Sequence, residues 1–449
     1  MKTFASRRRF LAALLPLALA ACGGDDGFDS GAPATCSVAD QKAWLSSYFD
    51  DWYFWYRISP RPNPAGYATV GDYFNALLYT GTDVNFPADR WSFYQSVESF
   101  NRFFGDGESL GYGVSVAGNE VVGQPDAPLY VRYIEPLSPA AGKVARGDQV
   151  LSINGRSAHD VIAADDFSAL SATNPGETLT LQLRTNGVDR TVVLTSAVFT
   201  LAPVGTYGVV SSPGGRKMGY VLVKDMISQV ASPLDNAFAS FQAAGVNEIV
   251  LDLRYNGGGL VSVGRDVASY VAGARGNGVA YAKLLYNDKR AADYNQTYMF
   301  SGSLAAAAGV PRVFVLTGSR TCSASEQVVN GLRGAGVDVV TIGDTTCGKP
   351  VGFLPTSACD VAYTVVNFES VNARNEGRYF DGFDATCPVA EDFTKALGTT
   401  AEPLLAAAAS YADGGGCPVA ATKAQPFSVR AKSLRLAPEP GDVRGMIAR

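Results

Sequence analysis

The chain has 449 residues, 47% of them hydrophobic and 18% charged, with a formal net charge of −5. That length exceeds one ordinary core and predicts two or three domains, and the composition sets aside disordered and collagen-like chains. The acidic balance argues against nucleic acid as a partner, because phosphate binding needs clustered Lys and Arg.

The first residues have the layout of a targeting segment: Lys2 and Arg7 to Arg9 are basic, Phe10 to Ala21 is apolar, and small residues precede Cys22. The apolar stretch is too short to span a bilayer. Leu19-Ala20-Ala21-Cys22 resembles a bacterial lipoprotein box, in which cleavage leaves Cys22 acylated at the new N-terminus; ordinary cleavage with an unacylated Cys22 is the alternative. Ser6 to Leu11 also resembles a twin-arginine export signal. With Gly23 following Cys22, the resemblance implies an exported chain, lipid-anchored in the bacterial envelope at the outer membrane and facing the periplasm. Removing residues 1–21 leaves 33 basic against 42 acidic residues. Cys36, Cys322, Cys347, Cys359, Cys387 and Cys417 then make an even set, which in an exported chain predicts three disulfides among fifteen possible pairings. No CxxC pair and a single histidine, His159, argue against a metal site.

Residues 22–35 form a Gly- and Asp-rich tether. Trp44, Tyr48, Trp52 and Trp55 share one helical face, and a second helical stretch near Val70 to Tyr79 completes a small helical domain over 36–105. Between 106 and 200 short β-rich runs separated by Gly and Asn-Gly follow: Tyr112 to Val116, Leu129 to Ile134, Gln149 to Ile153, Thr178 to Leu183 and Thr191 to Leu194. Here Gly111-Tyr112-Gly113-Val114, Ser138-Pro-Ala-Ala141 and Gly147 to Gly155 (GDQVLSING) resemble a PDZ domain. Such domains hold a peptide's terminal carboxylate on the glycine loop and its backbone on the sheet edge. From 201 to 412 strands alternate with helices, which predicts α/β layers. Residues 413–449 read as a loosely ordered tail.

The chemistry concentrates in three places. Val313 to Glu326 (VFVLTGSRTCSASE) is an apolar strand, a turn and a helix start, a geometry that exposes a serine beside helix N–H groups. Ser323 with Glu326 three residues on also fits a plain helix cap. Because the sole histidine lies in the β-rich region, a Ser-His-Asp triad here is set aside, and a buried neutral lysine is the substitute base. Lys349, in CGKPVGF with apolar neighbours, fits that demand if burial lowers its proton affinity; an exposed loop lysine is the ordinary alternative. The third place is the buried strand from Glu248 into Gly257-Gly258-Gly259, where glycines let backbone approach a ligand.

The PDZ-like segment, DLRYNGGG, SASE and GK, in this order, resemble the tail-specific, or C-terminal processing, serine peptidases over residues 40 to 410. The resemblance implies a multidomain α/β protein with a crotonase-like layered peptidase domain and no cofactor. It makes Ser323 the nucleophile, with Ser325 as the rival, Lys349 the base and Glu326 a supporting acid. Gly257 or Gly258, with Ala324, would form the oxyanion hole, and Gly111, Tyr112, Gly113 and Val114 would bind peptide. The expected partners are proteins or peptides with unstructured C-termini, and the rival reading is an inactive lipid-anchored peptide-binding scaffold or chaperone. The 26-residue separation of Ser323 and Lys349 is one longer than in the family, and Phe353 stands where a glutamine is usual. Cys322 and Cys347 flank both elements and are expected to pair; Cys359 with Cys387 and Cys36 with Cys417 remain by elimination.

Overall fold

The computed structural model of the chain describes residues 31–302, 304, 306–418 and 445–448. The export signal, Cys22 and most of the tether lie outside the described residues, and among those described no helix is long and apolar enough to cross a membrane.

The first helix, Val38–Trp52, starts where Ser37 accepts a hydrogen bond from the Asp40 N–H, and its aromatic stripe is buried together with Trp55 just past its end. These rings do not form a core of their own. They join one continuous apolar cluster with Val351, Phe353 and Phe368 of the later chain. Asn367 Nδ2 donates to Tyr48 Oη (3.3 Å) and to the Trp52 carbonyl (3.2 Å), and the strand Phe93–Ser96 pairs antiparallel with Val361–Thr364. The expected helical domain is therefore a cover packed into the main body.

The β-rich region does have a separate core. Val114–Val116, Leu129–Ile134, Gln149–Ile153, Thr178–Thr185 and Val188–Thr195 lie side by side in that order. The last two are joined by Asn186 and Gly187, both at positive φ (49° and 82°), as a two-residue hairpin turn requires. This domain is fixed to the body by Arg146, which reaches Tyr255 Oη (2.6 Å) and Glu391 Oε1 (2.8 Å).

The body has two sheets. One runs Val204–Ser211, Lys217–Val223, Glu248–Asp252, Arg312–Thr317, Asp338–Gly343, Cys387–Pro388, and all but its first pairing are parallel. Its strand Glu248–Asp252 is buried throughout, as parallel strands covered on both faces must be. The helix Ala324–Gly334 packs against the helix Val261–Ala272 and the strand Ala280–Tyr286, and Pro403–Ala412 shares a second cluster with Phe314 and Ile342. The other sheet runs Gly259–Leu260, Met446–Ile447, Val351–Phe353, Val366–Val371, Ala280–Tyr286, Gln296–Met299.

Two expectations are corrected. The tail is not loose throughout, because Met446 and Ile447 form a buried strand inside the second sheet. Of the disulfides, Cys322–Cys347 is present, but the others pair Cys36 with Cys359 and Cys387 with Cys417. Cys36 precedes the first helix, which lies against the hairpin whose turn carries Cys359, and Cys417 follows the helix packed beside the strand of Cys387.

Candidate active site

The strands Glu248–Asp252 and Arg312–Thr317 are parallel neighbours, so the turns that leave them emerge side by side, at the sheet end where α/β proteins bind ligands. Thr321 Oγ1 donates to the Leu253 carbonyl (2.9 Å) and the Cys322 N–H to the Asn256 carbonyl (3.1 Å), tying the two turns together. Beneath them Arg254 is held by Glu402 through two bonds (2.8 and 2.9 Å) and by Asp252 (2.9 Å).

Ser323 closes the second turn at φ 62°, ψ −116°, a conformation a side-chain-bearing residue adopts only when its surroundings impose it. Its Oγ is buried and has no hydrogen-bond partner. The Ser325 hydroxyl, by contrast, is committed to Asn256, 2.8 Å from Oδ1 and 3.0 Å from the carbonyl oxygen. That difference separates the two serines.

Glu326 binds the serine turn to the lysine loop. Its Oε2 accepts from the Ser323 N–H (2.9 Å) and the Lys349 N–H (2.8 Å), and its Oε1 from the Gly348 N–H (2.8 Å) and Thr346 Oγ1 (2.5 Å). Burial lifts its carboxyl above the ordinary glutamate range, against the pull of the Thr346 hydroxyl and the three amides. The Cys322–Cys347 disulfide joins the same two segments. Although Cys322, Cys347 and Glu326 gather their ligand-type atoms closely, both sulfurs are bonded to each other, and a disulfide offers no thiolate for a metal.

Lys349 is fully buried, unlike an ordinary loop lysine. Its Nζ lies 3.9 Å from the centre of the Phe353 ring, so the residue in the usual glutamine position meets the amine with an aromatic face.

The glycine run is arranged differently from the expectation. The Gly258 N–H donates to Asn256 Oδ1 (2.8 Å), because Asn256 folds its side chain onto the amide two residues ahead. The amide that reaches a carbonyl is the next one: the Gly259 N–H donates to Gly445 O. A Cβ at Gly258 would strike that oxygen and lie 2.9 Å from Ser323 Cβ and 3.0 Å from Ala324 N. Ser323, Ala324, Glu326, Lys349 and Gly258 are thus gathered at one place. Asn256 and Gly259 were missed, and the only sequence signal for Asn256 was an Asn just before glycines.

Gly111, Tyr112, Gly113 and Val114 lie elsewhere, at the edge of the β-rich domain. The Gly113 carbonyl accepts from the Glu135 N–H (2.9 Å) and that of Tyr112 from Ala140 (3.0 Å), so the turn containing Ser138 shapes the loop, and a side chain at Gly113 would overlap Ser138. His159 is in this domain too, exposed beside Asp126 and Asp160.

Three family models match this arrangement in chain order: the peptidase S41 N-terminal domain at residues 40–93, a PDZ domain at 103–184 and peptidase family S41 at 217–375. The chain belongs to peptidase family S41. Its S41 segment contains the glycine run, Ser323, Glu326 and Lys349. The chain is 27% identical over 275 residues to a carboxyl-terminal-processing protease of Picosynechococcus, covering 59% of this chain and 61% of that one. It is 29% identical over 294 residues to the chloroplastic carboxyl-terminal-processing peptidase 3 of Arabidopsis thaliana, covering 63% and 50%. The match spans half to three fifths of these curated relatives. A solved structure of an S41 family protein from Bacteroides fragilis superposes with a TM-score of 0.64 at 25% identity, covering 83% of this chain and 97% of that one.

Proposed function

We propose that this S41 protein is a serine endopeptidase that cleaves exported proteins with unfolded C-terminal segments through an acyl-enzyme. The observation that carries the reading is the sharing of Glu326 Oε2 by the Ser323 and Lys349 backbones, with both side chains fully buried and the Ser323 hydroxyl unpartnered. Ser323 Oγ attacks the scissile carbonyl, Lys349 takes its proton and returns it to the leaving amine, and Glu326 holds the two segments in register. The Gly259 and Ala324 amides supply the oxyanion donors, in place of Gly257 and Gly258. The PDZ domain, through Gly111 to Val114, captures the substrate's C-terminus. Cleavage before an acylated Cys22 places the enzyme on the periplasmic face of the outer membrane, and no cofactor takes part.

A second reading, a peptide-binding scaffold without turnover, draws on the Phe353 ring: a ring face attracts a cation, and a lysine held there as ammonium takes no proton from a serine. Digestion of an unfolded polypeptide by wild type, Ser323→Ala and Lys349→Ala, with fluorophosphonate labelling, decides between them. The peptidase reading requires labelling and cleavage by wild type, or by a chain truncated after Arg444, and neither by Ser323→Ala. Equal activity in all three proteins refutes the dyad, and folded, open-cleft protein that neither labels nor cleaves supports the scaffold.

A further inference from the structure

The strand Met446–Ile447 sits between Gly259–Leu260 and Val351–Phe353, parallel to both, with Gly259 opposite Met446 and Leu260 and Phe353 opposite Ile447. One neighbour continues the glycine run and the other begins two residues after Lys349, so the chain's own C-terminal segment lies between the two catalytic loops as an added strand. It is a tight fit: Met446 and Ile447 are fully buried, Ala448 nearly so, and the Ala448 N–H donates to the Phe353 carbonyl (3.0 Å). The slot depends on missing side chains. A Cβ at Gly352 would come 2.6 Å from the Met446 carbonyl oxygen, and one at Gly259 would strike Met226. Met446 Sδ rests 3.4 Å from Gln327 Nε2, one residue past Glu326.

The Gly445 carbonyl is the group at the reaction centre. Its oxygen accepts from the Gly259 N–H and bounds, with Ser323 Cβ and Ala324 N, the small space left by the absent side chain of Gly258. A carbonyl oxygen that accepts from one backbone amide and lies close to a serine and to a second backbone nitrogen is the placement of a scissile carbonyl.

We infer that the C-terminal segment is a built-in substrate and that the chain cleaves its own Gly445–Met446 bond, opening the slot to other peptides. The inference rests on the proposed peptidase reading. Ser323 Oγ bonds to the Gly445 carbonyl carbon, and its proton passes through Lys349 Nζ to the Met446 nitrogen as the C–N bond breaks. The segment from Met446 onward leaves with the new amino terminus. Water then splits the Gly445 ester, its hydroxyl becoming part of the new carboxylate and a proton returning to Ser323.

The test is intact-mass measurement of freshly purified and incubated full-length chain, wild type and Ser323→Ala, alongside a chain truncated after Arg444 and fluorophosphonate labelling of all three. The expected result is wild type ending at Gly445 and Ser323→Ala ending at Arg449, with the truncated chain labelled as readily as processed wild type. Wild type that labels or digests an unfolded polypeptide and still ends at Arg449, or ends elsewhere, overturns self-cleavage and leaves the peptidase reading standing. A truncated chain that labels while unlabelled wild type keeps its tail overturns it too, making the segment a plug only. Absence of labelling in a folded truncated chain overturns both.

Discussion

Replacing Glu326 by glutamine removes one acceptor from a carboxylate that serves two backbone segments. Each carboxylate oxygen holds two donors: Ser323 and Lys349 amides on Oε2, Gly348 amide and Thr346 hydroxyl on Oε1. The least costly placement of the new NH2 is on the Oε1 side, because the Thr346 hydroxyl, which already accepts from the Phe383 N–H, can rotate and accept it too, leaving the Gly348 N–H and the Thr346 proton without their acceptor. A buried donor without an acceptor costs about 1–3 kcal/mol, which at about 1.4 kcal/mol per decade speeds local opening about 5- to 150-fold. Glu326→Ala orphans all the donors and should speed it further. Amide hydrogen exchange on peptides covering 344–350, under non-reducing conditions, reads this directly. Glu326→Gln should raise exchange there first, at Gly348, with the serine turn less affected. Unchanged exchange in Glu326→Ala would refute the role of this carboxylate as the link between the turns.

Ser323 at φ 62° stores backbone strain of about 1–3 kcal/mol, so Ser323→Gly should unfold at a higher temperature than Ser323→Ala while both lack labelling; equal melting would remove the strain argument. The Cys322–Cys347 loop of 25 residues contributes about 3.5 kcal/mol by the chain-entropy estimate and the Cys36–Cys359 loop of 323 residues about 6. The Cys322→Ser/Cys347→Ser pair should therefore lose more activity and less denaturant resistance than Cys36→Ser/Cys359→Ser, a ranking that paired urea and turnover measurements check. Burial pushes the Glu135 carboxyl from 4.5 up to about 7 beside Lys224 and Asp225. Folding then takes up a proton between those values, so stability should fall as pH rises through that window, by about 3 kcal/mol, and level off above it. Glu135→Gln should flatten that slope, and an unaltered slope would assign it to other groups.

Three central strands of the first sheet, Lys217–Val223, Glu248–Asp252 and Arg312–Thr317, were legible because each is an apolar run followed by a helical period, as with Glu248–Asp252 and the helix Val261–Ala272. The second sheet was not. Its strands are short and pair across long stretches of chain, as Tyr286 does with Phe368, and nothing in local periodicity records such a partner. The same physics divides the site. Ser323, Glu326 and Lys349 announce themselves by type and spacing, whereas the engagement of the Gly258 amide by Asn256 and the placement of Gly445 depend on how separate turns meet. Flanking position was enough for Cys322 and Cys347, which border two elements that must be adjacent. The other pairings depended on which hairpin the first helix lies against, information held by the packed rings of Trp44, Tyr48 and Tyr363.

The aromatic helix Val38–Trp52 also sets an order of events in synthesis. Trp44, the Trp52 carbonyl and Cys36 before the helix are met by residues between 359 and 368, while Phe49 packs early on Phe74, so only part of this face lacks its partners until most of the chain exists. Contacts of such sequence separation form slowly, and an unpaired aromatic face on a growing chain is prone to association with other chains. That part of the helix is therefore among the last to settle, and until then the rings left without partners are the surface a holding chaperone would meet.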